Sequence, residues 1–168
     1  MTMKAPVVLP ALSRRQLLGS AAALLGAALA GCARAGEGGQ PLLDMTVYRD
    51  PSCGCCEEWA RLANGAGFRA SVVDEPDMAA LKRRFGVPQD LASCHTALCN
   101  RFVIEGHVPF DQVHRFIQSH PRGMVGLAVP GMPAGSPGME MPDGRREPFQ
   151  VIAFDRQGST RVFASVNA

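Results

Sequence analysis

Three cysteines, Cys53, Cys55 and Cys56, fall within four consecutive positions of the stretch DPSCGCCEEW at residues 50–59. A disulfide needs one partner per sulfur, with Cα atoms roughly 5.5–6 Å apart, so adjacent residues such as Cys55 and Cys56 suit simple stapling poorly. Cys53 and Cys56 have the C-x-x-C spacing of a reactive dithiol. A helix opening at that point lowers thiol pKa values through its free N–H groups and its dipole. A thiolate made in this way attacks a disulfide or binds a soft metal. In dithiol exchange Cys55 would compete as a second resolving thiol, whereas in a metal site it is one more ligand.

Cys94, in SCHT, is the natural fourth sulfur, because it begins a strand returning to the sheet end that carries the cysteine segment. Three thiolates on one loop and one across from it favour Cu(I) or Zn(II) among common ions. Zinc prefers one closed tetrahedron, while neighbours such as Cys55 and Cys56 suit sulfurs that bridge several Cu(I) ions. The secondary candidates are His95, His107, Met132 and Met139, with Met141 on the same loop. His95 is expected to point away from Cys94, since neighbours on a strand face opposite sides. His107 is either a turn-stabilising residue or a functional one. His114 and His120 read as surface residues and Trp59 as core.

The elements that must position these residues follow from periodicity. MTVYR is a strand, and CCEEWARLANG is a helix with Trp59, Leu62 and Ala63 at helical spacing, so the cysteines sit at a strand–helix junction. FRASVVDE is a second strand, and PDMAALKRRFG a second helix with Pro76 in its first turn and Gly86 as its stop. CHTALC and RFVIEGH are two strands about Asn100-Arg101, and FDQVHRFIQSH is a third helix. VPGMPAGSPGMEMPDG is an irregular Met/Pro/Gly loop, and FQVIAF with TRVFASV a final hairpin that pairs with or covers a sheet edge. The expected class is α/β, and the order β-α-β-α-β-β-α resembles a thioredoxin-like sheet carrying an extra C-terminal hairpin.

At 168 residues, 46% hydrophobic and 19% charged, the chain suits one folded domain with accessory segments. A net charge of +2 with scattered basic residues makes nucleic acid an unexpected partner. Residues 1–31 read as an export signal, because SRRQLL precedes an uncharged run too short to span a bilayer. LAGC at residues 29–32 resembles a lipobox, which would make Cys32 a lipidated N-terminus. Arg14-Arg15 resembles a twin-arginine signal, with Leu17 where Phe is usual, so the general secretory route stays open. Cleavage after Ala28–Ala30 or an uncleaved anchor are the alternatives. Residues 32–43 read as a flexible tether and 44–168 as the domain. In an oxidising compartment the five cysteines other than Cys32 cannot all pair within one molecule, so at least one is free, metal-bound or paired elsewhere.

PSCGCCEEW, SCHTA, IEGHVP and VPGMPAGSPGME, in this order from about Met45 onward, resemble the CopG-type copper-resistance proteins. The resemblance implies a thioredoxin-like periplasmic protein that binds copper through Cys53, Cys55, Cys56 and Cys94, with a role in copper detoxification. Copper ions, and periplasmic copper chaperones or efflux components, are the partners this implies, and an oxidoreductase acting on copper or thiols is the enzymatic form. Cys99 stands where an apolar residue is expected and inherits no role. A periplasmic thiol-disulfide oxidoreductase using Cys53 and Cys56 is the rival reading.

Overall fold

The computed structural model describes residues 42–167. The export signal at 1–31, the lipobox at 29–32 and most of the tether lie outside the described residues. Within them run β1 (Leu43–Arg49), α1 (Gly54–Gly65), β2 (Phe68–Asp74), α2 (Met78–Phe85), a 3-10 turn (Gln89–Leu91), β3 (His95–Cys99), β4 (Phe102–Glu105), α3 (Phe110–Ser119), β5 (Met124–Ala128), β6 (Phe149–Asp155) and β7 (Thr160–Val166). No helix among the described residues is long and apolar enough to cross a membrane.

The strands form one seven-stranded sheet in the order β2-β1-β3-β4-β5-β6-β7. β1 is parallel to β2 across the α1 crossover, and β4 is parallel to β5 across α3. β3 runs antiparallel to both β1 and β4, with Arg49 opposite His95 and Met45 opposite Cys99. Alternation along the central strands divides two cores, as the two-residue period of a strand requires. Phe102 and Ile104 of β4, Leu127 of β5 and Val151 and Ala153 of β6 join Trp59 of α1 and Phe116 of α3 on one face. Val103, Ala128 and Phe154 point the other way, toward Val87 and Leu91 beyond α2.

Two expectations need correction. Local pattern predicts no element over residues 124–128, yet they form β5, which joins the last hairpin to the rest, so β6 pairs with β5 and the sheet is continuous. The segment MVGLA carries a glycine mid-strand, which weakens any local strand signal. A side chain at Gly126 would strike the Val103 carbonyl and the Phe154 ring, so its absence lets β5 seat, and the register shifts between Met124 and Gly126. Pro76 lies before α2 rather than in its first turn. Asp77 is the N-cap, its carboxylate accepting from the Ala80 amide at 2.8 Å.

Candidate metal centre

Arg49, the last residue of β1, builds the loop into the cysteines. One guanidinium nitrogen donates to the Pro51 carbonyl at 3.0 Å and the Cys53 carbonyl at 3.2 Å, while the other pairs with Asp74 at 3.2 Å. Cys53 is the N-cap of α1 and offers no side-chain cap, so the first-turn amides keep their positive field for the sulfurs. Cys53 and Cys56 are joined as a disulfide, Cys56 fully buried. Cys55 stays a free thiol, its sulfur 3.5 Å from that of Cys53. From the other segment comes Cys94, one residue before β3. The four sulfurs, of Cys53, Cys55, Cys56 and Cys94, all lie within 4.8 Å of one another.

His95 and His107 flank Cys94. Its sulfur is 3.3 Å from His95 Nδ1 and 3.1 Å from His107 Nε2, and these three residues form a second group of potential ligands within 4.8 Å. The expected opposition of Cys94 and His95 fails because Cys94 precedes the strand, where alternation does not apply. His107 Nδ1 lies 2.7 Å from the Pro137 carbonyl. A carbonyl only accepts, so Nδ1 carries the proton and the Nε2 lone pair faces Cys94, the arrangement of a ligating histidine held by an outer carbonyl. The Cys94 thiol then donates to His107, and His95 Nδ1–H to the sulfur. His95 Nε2 is left buried without a partner among the described residues. Burial pushes both imidazoles below their ordinary range, His95 far below, with His107 and Lys82 adding to the effect there.

The Met/Pro/Gly loop closes over this end. Ser93 Oγ donates to the Gly131 carbonyl at 2.6 Å, and His107 holds Pro137. Gly138, at φ +81°, packs so tightly that a Cβ there would stand 3.1 Å from the Trp59 amide nitrogen and 3.2 Å from the Cys55 carbonyl. Met132 is thereby brought to the cluster, its Sδ 3.9 Å from Cys55 Sγ. No such contact joins Met139 to a cysteine among the described residues; its backbone instead bonds Gly135 and Ser136. His114 is half-buried rather than superficial, bonded to the Ala66 carbonyl at 2.7 Å and stacked on Phe68.

Sequence reasoning missed Glu105. The carboxylate is fully buried, takes the Ser93 amide at 2.6 Å and the Thr96 hydroxyl at 2.6 Å, and pairs with Lys82 at 2.5 Å. Burial raises this carboxyl above its ordinary range while Lys82 and the donors oppose the rise. Because Ser93 adjoins Cys94, Glu105 fixes the backbone that presents the fourth sulfur. The available signal was an acid closing the apolar run FVIE.

The three free thiols among the described residues, Cys55, Cys94 and Cys99, are expected to differ in reactivity. Burial, with the nearby Cys55 adding to it, pushes the Cys94 thiol up to about 12, and burial pushes Cys99 up to about 11. Both are therefore protonated near neutrality, and only the thiolate reacts. Iodoacetamide at pH 7.5 on the disulfide form is expected to label Cys55 first. Labelling of Cys94 and Cys99 should lag and accelerate about tenfold per pH unit. Mass spectrometry of tryptic peptides reads the order, and early labelling of Cys94 would contradict the burial argument.

Residues 91–139 match a family model described as a protein of unknown function, DUF411. No curated protein matches the chain. Among solved structures, "Copper resistance protein copG- Form 1" is 41% identical with a TM-score of 0.70, covering 77% of this chain and 100% of that one. "Copper resistance protein copG- Form 2" is likewise 41% identical, at TM-score 0.69, covering 74% and 98%.

Proposed function

Because this chain belongs to the CopG-type copper-resistance family, we propose that it is an exported copper-binding protein holding Cu(I) on Cys53, Cys55, Cys56 and Cys94. The observation that carries the reading is the convergence of four sulfurs from two segments to within 4.8 Å. Two sulfurs bound to one ion at about 2.3 Å, the length of a zinc–thiolate bond, stand at most about 4.6 Å apart, so the donor set can share ions once the Cys53–Cys56 bond is opened. Thiolates and a nearby thioether select Cu(I) over hard cations. The strand order β2-β1-β3-β4 and its directions support a thioredoxin-like frame for this site.

A disulfide supplies no thiolate, so Cys53 and Cys56 become ligands only after two electrons and two protons convert their S–S bond into two thiols. A dithiol reductant can supply both, and each thiol then releases its proton as the metal binds. Anaerobic titration of the reduced protein with Cu(I) and with Zn(II), followed by metal counting, tests the proposal. More than one copper per chain and preference for copper over zinc are expected. Tight binding of a single zinc with no copper excess would point instead to a structural zinc domain.

The Cys53–Cys56 bond favours one second reading, a thiol-disulfide oxidoreductase. Half-buried Cys53 would attack a substrate disulfide and buried Cys56 would resolve the mixed disulfide. Reduction of insulin disulfides by the reduced, metal-free protein separates the two. Export is part of the proposal, with Cys32 as the lipid anchor. Wild type is expected in the membrane fraction and Cys32→Ala released or unprocessed; a wholly soluble wild type would favour cleavage after Ala30.

A further inference from the structure

The sheet end opposite the sulfurs is strongly basic. Arg101 lies in the β3–β4 turn, Arg122 in the α3–β5 connection and Arg156 in the β6–β7 turn. Register brings these turns together, since Val103 pairs with Gly126 and Met124 with Asp155. They surround an open cavity of about 450 Å³ lined by Arg101, Phe102, His120, Arg122, Met124 and Arg156 among others. Its floor is fixed. The Arg101 guanidinium lies 5.2 Å from the centre of the Phe102 ring, which also packs edge-on against the rings of His120 at 5.4 Å and Phe116 at 5.1 Å. Arg101 also donates to His120 Nδ1 at 3.1 Å, which leaves the His120 proton on Nε2 as a further donor.

None of the three arginines takes part in an ion pair among the described residues. The carboxylates at this end are already engaged. Asp44 pairs with Arg69 at 2.8 Å, and Asp155 accepts from the Gln157 and Ser159 amides. Three guanidiniums without ion-pair partners among the described residues, against the one unpaired carboxylate of Asp155, leave this end net positive and suit a phosphate, which accepts the planar fork of arginine in paired hydrogen bonds.

The chain's direction selects the occupant. Met45 pairs with Cys99, so Leu43 lies two residues further along, level with the Arg101 turn. Leu42, the first described residue, therefore lies at the arginine end, where it is 48% exposed. We propose that this end docks on anionic phospholipid, with a headgroup phosphodiester in the cavity of Arg101, Arg122 and Arg156. The sulfur end then faces away from the bilayer. This assignment does not depend on copper binding.

Co-sedimentation of the full chain with phosphatidylcholine vesicles, and with vesicles holding one quarter phosphatidylglycerol, tests it. A basic residue at an anionic surface contributes roughly fivefold in affinity, so at least about a tenfold excess for the anionic vesicles is expected, falling as salt rises. The Arg101→Gln/Arg122→Gln/Arg156→Gln variant keeps the whole N-terminal segment and should lose that excess, with circular dichroism as the folding control. Absence of the excess in wild type, or its survival in the variant, would overturn the proposal. Thermal stabilisation by inorganic phosphate with no vesicle preference would also overturn it, in favour of a soluble anion.

Discussion

A Cys94→Ser variant, reduced and titrated with Cu(I) under anaerobic conditions, is expected to bind fewer copper ions per chain than wild type, while Cys99→Val matches wild type. Cys94 is the one sulfur of the four contributed from outside residues 53–56. Its removal leaves the other three without their partner across the loop. Losing an outer hydrogen-bond partner costs a metal site roughly 10–100-fold in affinity, and loss of a ligand should exceed that. Serine keeps the volume and can still donate to His107 Nε2, so the fold should persist. Cys99 stands opposite Met45 and Phe102, fully buried at the other end of β3. Five residues at about 3.3 Å each put it about 16 Å from Cys94. Valine there is close in volume, and such exchanges usually cost less than about 1.5 kcal/mol. Copper per chain, with circular dichroism beside it, reads the result. Equal losses in the two variants would sink the four-sulfur assignment.

The second large effect concerns stability. Glu105→Ala is expected to cost about 3–5 kcal/mol, the usual penalty for breaking a buried ion pair from one side. That is a large share of the roughly 5–15 kcal/mol that holds a domain together. The substitution strands Lys82, whose side chain is only 12% exposed, and leaves the Ser93 amide and the Thr96 hydroxyl without their acceptor. Adding Lys82→Met to Glu105→Ala should recover part of the loss, because no unpaired buried charge then remains. Denaturant melts of wild type, both single variants and the double variant measure the coupling. Additive losses would mean that Lys82 and Glu105 act independently and that the carboxylate does not anchor the Cys94 backbone through this network.

The two residue sets were unequally legible in the sequence. Cys53, Cys55 and Cys56 could be placed at a strand–helix junction because the evidence for that junction is local: alternation in β1, then helical spacing from Trp59. Cys94 could be brought to them because the direction of β3 follows from the order of elements. Glu105 could not, since its partner Lys82 comes from α2, 23 residues earlier, and only the packing of that helix on the sheet joins them. The orientation of His95 turns on a boundary of one residue: β3 begins at His95 and not at Cys94, so strand alternation does not govern the pair. Met132 and Met139 share one composition and one loop, and only the fastening of that loop by Ser93, His107 and Gly138 distinguishes them. β5 escaped notice because Gly126 makes sense only against Phe154.

Trp59 gives the molecule an optical gauge. It is the chain's single tryptophan, three residues beyond Cys56, with its ring 4.7 Å from that of His95 and its indole N–H on the Val108 carbonyl at 3.2 Å. Emission excited at the red edge of the indole band therefore originates at one point, the base of the sulfur end. Opening of the Cys53–Cys56 bond, and the metal binding proposed for this end, are each expected to change that emission in real time, without a label and in the unmodified protein.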